Sequence, residues 1–205
     1  MKRDEKNLLS RKKIMDSAFA EFGEQGYGLS SVNTICTAGN ISKGILYHYF
    51  KDKDELYLVC VKEMFDRLNN CLTKELVDTS GSTEARLERY FDARLRFFNE
   101  YPLYHKLFCD TVIAPPQHLE AGIMEIRAEF DSLNISVMTE LLQNVHLRSD
   151  VTIESAVETL RLYQDFINAR FKMEPSKKID LLRREEMCKR SLSILLYGVI
   201  QREEK

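Results

Sequence analysis

The residues with most to offer chemically lie together in Ser42-Lys43-Gly44-Ile45-Leu46-Tyr47-His48-Tyr49-Phe50. A lysine and a glycine are followed by three rings with polar tips, Tyr47, His48 and Tyr49. Such side chains make phosphate and base contacts to DNA. They also pack against neighbouring helices, and residue types alone favour that plainer role. Three such rings are nevertheless more than a small helical core needs.

The elements that must position them can be read on either side. Ser30 or Ser31 caps a short helix reaching to about Ala38. Gly39-Asn40-Ile41 makes a tight turn, with Asn40 where a left-handed residue is required; asparagine tolerates that conformation better than any residue but glycine. Ser42 caps the next helix, which runs through Phe50. Ile35, Ile41, Leu46 and Phe50 are spaced to pack a small core, which leaves Lys43, Gly44, Ile45, Tyr47, His48 and Tyr49 freer to face outward. Two short helices joined in this way form a helix-turn-helix, whose second helix enters the major groove. Upstream, a helix over about 8–25 carries Ile14, Ala18, Phe19 and Phe22 on one face, and the glycines of GEQGYG are expected to end it. Downstream, DKDEL opens a long connector helix with acidic residues in its first turn, continuing to about Val77 before the break DTSGST.

The stretch from about residue 10 to 58 resembles the TetR family signature, with Ser42-Lys43-Gly44-Ile45-Leu46-Tyr47-His48-Tyr49-Phe50 followed by Lys53-Asp54-Glu55-Leu56 and preceded by AEFGEQGYGLSSV. Asn40 departs from the glycine usual there. The resemblance implies DNA-binding roles. Lys43, Gly44, Ile45 and His48 would face base edges, Lys43 at guanine O6/N7 and Ile45 at a thymine methyl. Tyr47, Tyr49 and Lys53 would hold phosphates, Ser31 would do so at a helix N-terminus, and Ser42, which caps the reading helix, belongs with the set. Gly44 would let the helix approach the duplex closely.

The rest of the chain reads as five more helices, over about 83–100, from Pro102 to before Pro115-Pro116, and over 117–147, 152–173 and 177–202. The fold class expected is all-α, about nine helices, with a three-helix helix-turn-helix head over 1–54 and a ligand-binding and dimerisation body over 55–205. The resemblance implies a homodimer formed through the last two helices, with Ile153, Val157, Leu160, Leu192, Leu195, Leu196 and Val199 as interface candidates. It also implies a small-molecule pocket in the body. The aromatic-rich candidates are Tyr90, Phe97, Phe98, Tyr101, Tyr104, His105, Phe108, Phe130, Tyr163 and Phe166, which suit an apolar ligand and equally suit plain core packing. Arg94 and Arg96 read as solvated surface charges.

Charge supports a one-ended partner. The chain has 30 basic and 32 acidic side chains. Residues 1–53 hold nine basic and six acidic, and the remainder 21 and 26. A basic head on an acidic body fits contact with phosphate at one end. No glycine-rich phosphate loop, nucleophile elbow or HExxH is present, so no enzyme is expected. His105 and Cys109, four apart, are the nearest approach to a zinc pair, and packed side chains are the expected outcome; neither metal nor cofactor is expected. Cys36, Cys60, Cys71, Cys109 and Cys188 lack CxxC spacing and read as reduced, mostly apolar-face thiols. No apolar run approaches membrane-spanning length and the charged N-terminus lacks a signal core, so a cytoplasmic location is expected. The function expected is a ligand-responsive regulator, a repressor by the family's commoner mode, binding a palindromic double-stranded DNA operator as a dimer.

Overall fold

Capping and proline chemistry set most helix boundaries. The computed structural model describes residues 3–173, a few side chains excepted, and scattered positions between 183 and 194. Its helices are α1 (Arg3–Leu29), α2 (Val32–Ala38), α3 (Lys43–Tyr49), α4 (Lys53–Leu76), α5 (Thr83–Glu100), α6 (Pro102–Ile113), α7 (Glu120–Gln143) and α8 (Ile153–Met173), with a single 3-10 turn, Gln117–Leu119, before α7. No β-strand occurs among the described residues, and the chain is all-α with a helix-turn-helix near its N-terminus. The expected helix over 177–202 lies outside the described residues except at those scattered positions.

The glycines expected to end α1 do interrupt it: Gly26 takes a non-helical φ of 70° and ψ of 172°, which suit a residue without Cβ, and a short further helical stretch runs to Leu29. Two boundaries differ from expectation. α1 starts earlier, at Arg3. The element expected over 117–147 is a 3-10 turn followed by a helix that ends at Gln143.

The chain divides into two compact units, residues 1–67 with 101–127, and residues 68–100 with 128–205. In the first, the face of α1 formed by Ile14, Ala18, Phe19 and Phe22 is buried, and α1 packs on α6, α2 and α3. Phe19 meets Tyr104 with ring centroids 4.7 Å apart. A Cβ on Gly23 would lie 3.0 Å from Leu103 Cδ2 and 3.2 Å from the Leu103 carbonyl oxygen, so glycine lets α6 come this close. The early turns of α4 supply Leu56, Tyr57, Cys60, Val61, Met64 and Phe65, all buried. Each such large apolar side chain contributes about 1.5–3 kcal/mol through burial.

In the second unit, α5 and α7 run antiparallel. The Tyr90 hydroxyl donates to Asn134 Oδ1, Arg86 pairs with Glu140, and the Arg94 guanidinium lies 5.7 Å from the Phe130 ring centroid. Arg94 is only 1% exposed, contrary to the surface role expected of it. Its position explains this: Leu87, Tyr90, Phe91, Arg94 and Phe98 recur by threes and fours, so the arginine falls on the buried stripe. Arg96 does stand at the surface, paired with Glu75 at 2.8 Å.

Candidate nucleic-acid interface

Local hydrogen bonds build the helix-turn-helix. Ser31 caps α2, its hydroxyl accepting from the Asn33 N–H at 3.1 Å. The chain turns as the Gly39 N–H donates to the Ile35 carbonyl at 3.0 Å and the Ile41 N–H to the Cys36 carbonyl at 2.9 Å. Asn40 takes φ 50°, the left-handed conformation expected of it. Ser42 caps α3, accepting from the Ile45 N–H at 3.3 Å. Both cap hydroxyls accept, which leaves each O–H proton available to an external acceptor.

The packing then sorts the residues of α3. Leu46 is its one buried member, and Phe50 just beyond is buried too, with Ile35 from α2; Ile41 is half-buried. Lys43, Gly44, Ile45, Tyr47 and His48 are exposed, Tyr47 by 51%. A Cβ on Gly44 would have only Ser42 Oγ within 4 Å, at 3.9 Å, so nothing within the fold requires glycine there. Of these, Lys43 lines a cleft, together with the Ser42 cap of α3 and Asn33, Cys36, Thr37, Asn40 and Ile41. Asn33 and Thr37, exposed and four apart on α2, were not among the sequence candidates, although their spacing places them on the helix side away from Ile35. Burial pushes the Cys36 thiol above the usual thiol range, with Lys43 opposing.

Three candidates are engaged within the chain. The Tyr49 hydroxyl lies 3.1 Å from the Asn7 carbonyl oxygen and 3.2 Å from Asn7 Oδ1. The Lys53 ammonium donates to the Tyr27 carbonyl at 2.8 Å and the Ser30 carbonyl at 3.3 Å, and sits 4.0 Å from the Tyr27 ring centroid. It thereby ties the end of α1 to the start of α4. The Ser31 N–H donates to a Glu21 carboxylate oxygen at 2.8 Å, which places a negative charge at the α2 N-terminus where a phosphate was expected. Beside Lys53, the Tyr27 hydroxyl donates to Asp54, and Asp54 lies 3.3 Å from His118 Nε2. Burial and then the Asp54 hydrogen bond push the Tyr27 hydroxyl up to about 12, while that hydrogen bond holds Asp54 below the usual carboxylate range.

The body candidates are distributed over both units. Tyr104, His105 and Phe108 on α6 are buried and Tyr101 half-buried in the first unit. Tyr90, Phe97, Phe98 and Phe130 are buried in the second, where Tyr163 is half-buried. Phe166 is 63% exposed, so its ring belongs to the surface rather than the core. Of the interface candidates, Leu160 is buried within the chain's own fold, and Ile153 and Val157 are half-buried. Leu192, Leu195, Leu196 and Val199 lie outside the described residues. The exposed apolar pair on α8 is Leu162 and Phe166, four residues apart, which the expected stripe passed over. Asn69, also unforeseen, is a polar member of α4's buried face, and its amide finds no hydrogen-bond partner among the described residues.

Comparison with known proteins agrees with this geometry. Residues 14–60 match the model for bacterial regulatory proteins of the tetR family. The biofilm operon icaADBC HTH-type negative transcriptional regulator IcaR of Staphylococcus aureus (strain Newman) is 29% identical over 143 residues, covering 66% of this chain and 77% of that protein. The fold resembles FadR from Bacillus subtilis in complex with stearoyl-CoA, with a TM-score of 0.70 at 18% identity over 92% of this chain and 99% of that one. It also resembles the ketosteroid transcriptional regulator KstR2 of Mycobacterium tuberculosis, with a TM-score of 0.62 at 19% identity over 94% and 95%. The capped three-helix head with its exposed α3 side chains, matched over residues 14–60, is thus a head of the TetR family of bacterial regulatory proteins.

Proposed function

We propose that the chain is a repressor that binds a palindromic operator as a homodimer in the cytoplasm and is released by a small molecule. The observation that carries this reading is α3, on which Lys43, Gly44, Ile45, Tyr47 and His48 are exposed while Leu46 is the one buried residue. A short helix with one buried residue and an open, ring-rich face is suited to the major groove. The functional division runs at about residue 54, with the reader in 1–54 and the sensor and dimer surface in 55–205. Leu162 and Phe166 supply the apolar surface described on α8, and two-fold pairing there would present two heads to a symmetric site. Buried rings such as Tyr90, Phe98 and Phe130 suit an apolar effector. The effector shifts the population toward a form with less affinity for the operator. No catalytic step is assigned to any residue.

The test is selection from random duplex DNA with the purified protein, followed by affinity measurements over a salt series. A palindromic winner, steep salt dependence and weakened binding by Tyr47→Ala and Lys43→Ala are expected. A non-symmetric site would remove the dimer from this reading. Failure to enrich any sequence, even after unfolding, dialysis and refolding to strip ligand, would remove operator recognition altogether.

A further inference from the structure

The head's positive charge is not on its reading helix. Residues 1–13 carry six basic and two acidic side chains, whereas residues 14–53 carry three basic and four acidic. The net positive charge of the head therefore lies entirely ahead of its core. Of the three later lysines, Lys53 is turned onto backbone carbonyls, and Lys43, on the reading helix, is given to a base edge, which leaves Lys51 for phosphate.

The N-terminal segment is placed to use its charge. α1 is helical from Arg3, yet Ile14 is its first buried side chain among the described residues. The turns before it overhang the core, and Arg11, Lys12 and Lys13 are all exposed. The end of α3 holds this overhang. The Tyr49 hydroxyl reaches Asn7 at 3.1 and 3.2 Å, and the Arg11 guanidinium lies 5.8 Å from the ring centroid of Phe50. A DNA-bound α3 would thus carry the overhang with it to the duplex, and this tie favours DNA over other polyanions.

We propose that the overhang of α1, residues 7–13, is a second DNA-contacting strip that neutralises backbone phosphates, and that Tyr49 is a positioning residue locking it to the reading helix through Asn7. The proposal rests on α3 being the base-reading helix. It divides the work: α3 selects sequence, and the overhang supplies most of the salt-sensitive affinity. Tyr49 then acts on DNA through α1 and not by gripping a phosphate.

The test uses the full chain and its selected duplex, with fluorescence anisotropy from 50 to 300 mM salt, about the range over which phosphate neutralisation dominates. Combined Arg11→Ala, Lys12→Ala and Lys13→Ala should make the slope of log affinity against log salt shallower by about 0.9 for each phosphate that is no longer neutralised. It should leave the preferred sequence unchanged. Tyr49→Phe should weaken binding by about 2- to 10-fold in the otherwise unaltered protein and have no further effect in the triple variant. Circular dichroism should show the same helix content throughout. An unchanged slope in the triple variant overturns the strip. A Tyr49→Phe effect that persists in full in the triple variant overturns the positioning role, since Tyr49 would then touch DNA itself. If the unaltered protein selects no duplex, the reading of α3 fails, and this proposal with it.

Discussion

The dipeptide Tyr-His occurs twice in the first compact unit, with opposite fates. In α3, Tyr47 and His48 are exposed, Tyr47 by 51%. In α6, Tyr104 and His105 are 8% and 3% exposed, and Leu107, Phe108, Cys109, Thr111 and Ile113 are buried around them. Both helices are short and ring-rich. Leu46 is the one buried residue of α3, whereas α6 lies against α1 at a glycine-mediated close approach. Ring content therefore does not mark a binding face. What marks it is a ring that the fold leaves without a packing role.

The largest effect expected from this contrast is on stability. Tyr104→Ala removes a ring packed against Phe19 and Tyr101 and should cost about 3–5 kcal/mol by urea unfolding. Tyr47→Ala should leave unfolding within about 0.5 kcal/mol of the parent while reducing operator affinity. If Tyr47→Ala unfolds as readily as Tyr104→Ala, the distinction between the two helices collapses.

Lys43→Ala should cost about 1–3 kcal/mol of operator binding and relax selection at one base pair, read by repeating the selection with the variant. Uniform weakening at every position would mean that Lys43 holds a phosphate.

A comparable effect is expected on α6 from Asp110, whose carboxyl burial pushes up to about 6, with Lys106 opposing. The folded value lies above the unfolded value of about 3.9, so the native state holds the proton more tightly. Its contribution is greatest at low pH, is lost as pH rises from about 4 through 6, and becomes a net cost at neutrality. Asp110→Asn should thus stabilise by on the order of 2 kcal/mol at pH 7 relative to pH 4, measured as the difference from the parent. An unchanged difference would show that the carboxyl is solvated in the folded protein.

The smallest effects belong to the turn and the reading face. Asn40→Gly should stay within about 0.5 kcal/mol, because glycine also accepts the left-handed φ. Gly44→Ala should leave unfolding no worse, since a Cβ meets little there, yet weaken operator binding if the helix lies close to the duplex.

Several features were legible in the residues. The Ser31 and Ser42 caps, the left-handed Asn40, the apolar face of α1, Pro102 at the start of α6 and the break after α4 all follow from hydrogen bonds or backbone sterics spanning a few residues. The exposed reading face was legible only because an ordered family pattern accompanied it. Others were hidden. Arg94 sits on a stripe that sequence alone let pass as surface, and Lys53 satisfies carbonyls from 23 and 26 residues earlier in the chain. Tyr49 turns to Asn7, and on α8 the exposed pair proved to be Leu162 and Phe166 while Leu160 is buried.

By itself, then, the sequence determined where the helices cap, turn and break, and that a helix-turn-helix stands near the N-terminus, because those outcomes depend on groups within about one helical turn of each other. The tertiary structure alone decided which tyrosines and cations remain open to a partner, because burial and long-range hydrogen bonds depend on which distant helix covers each face.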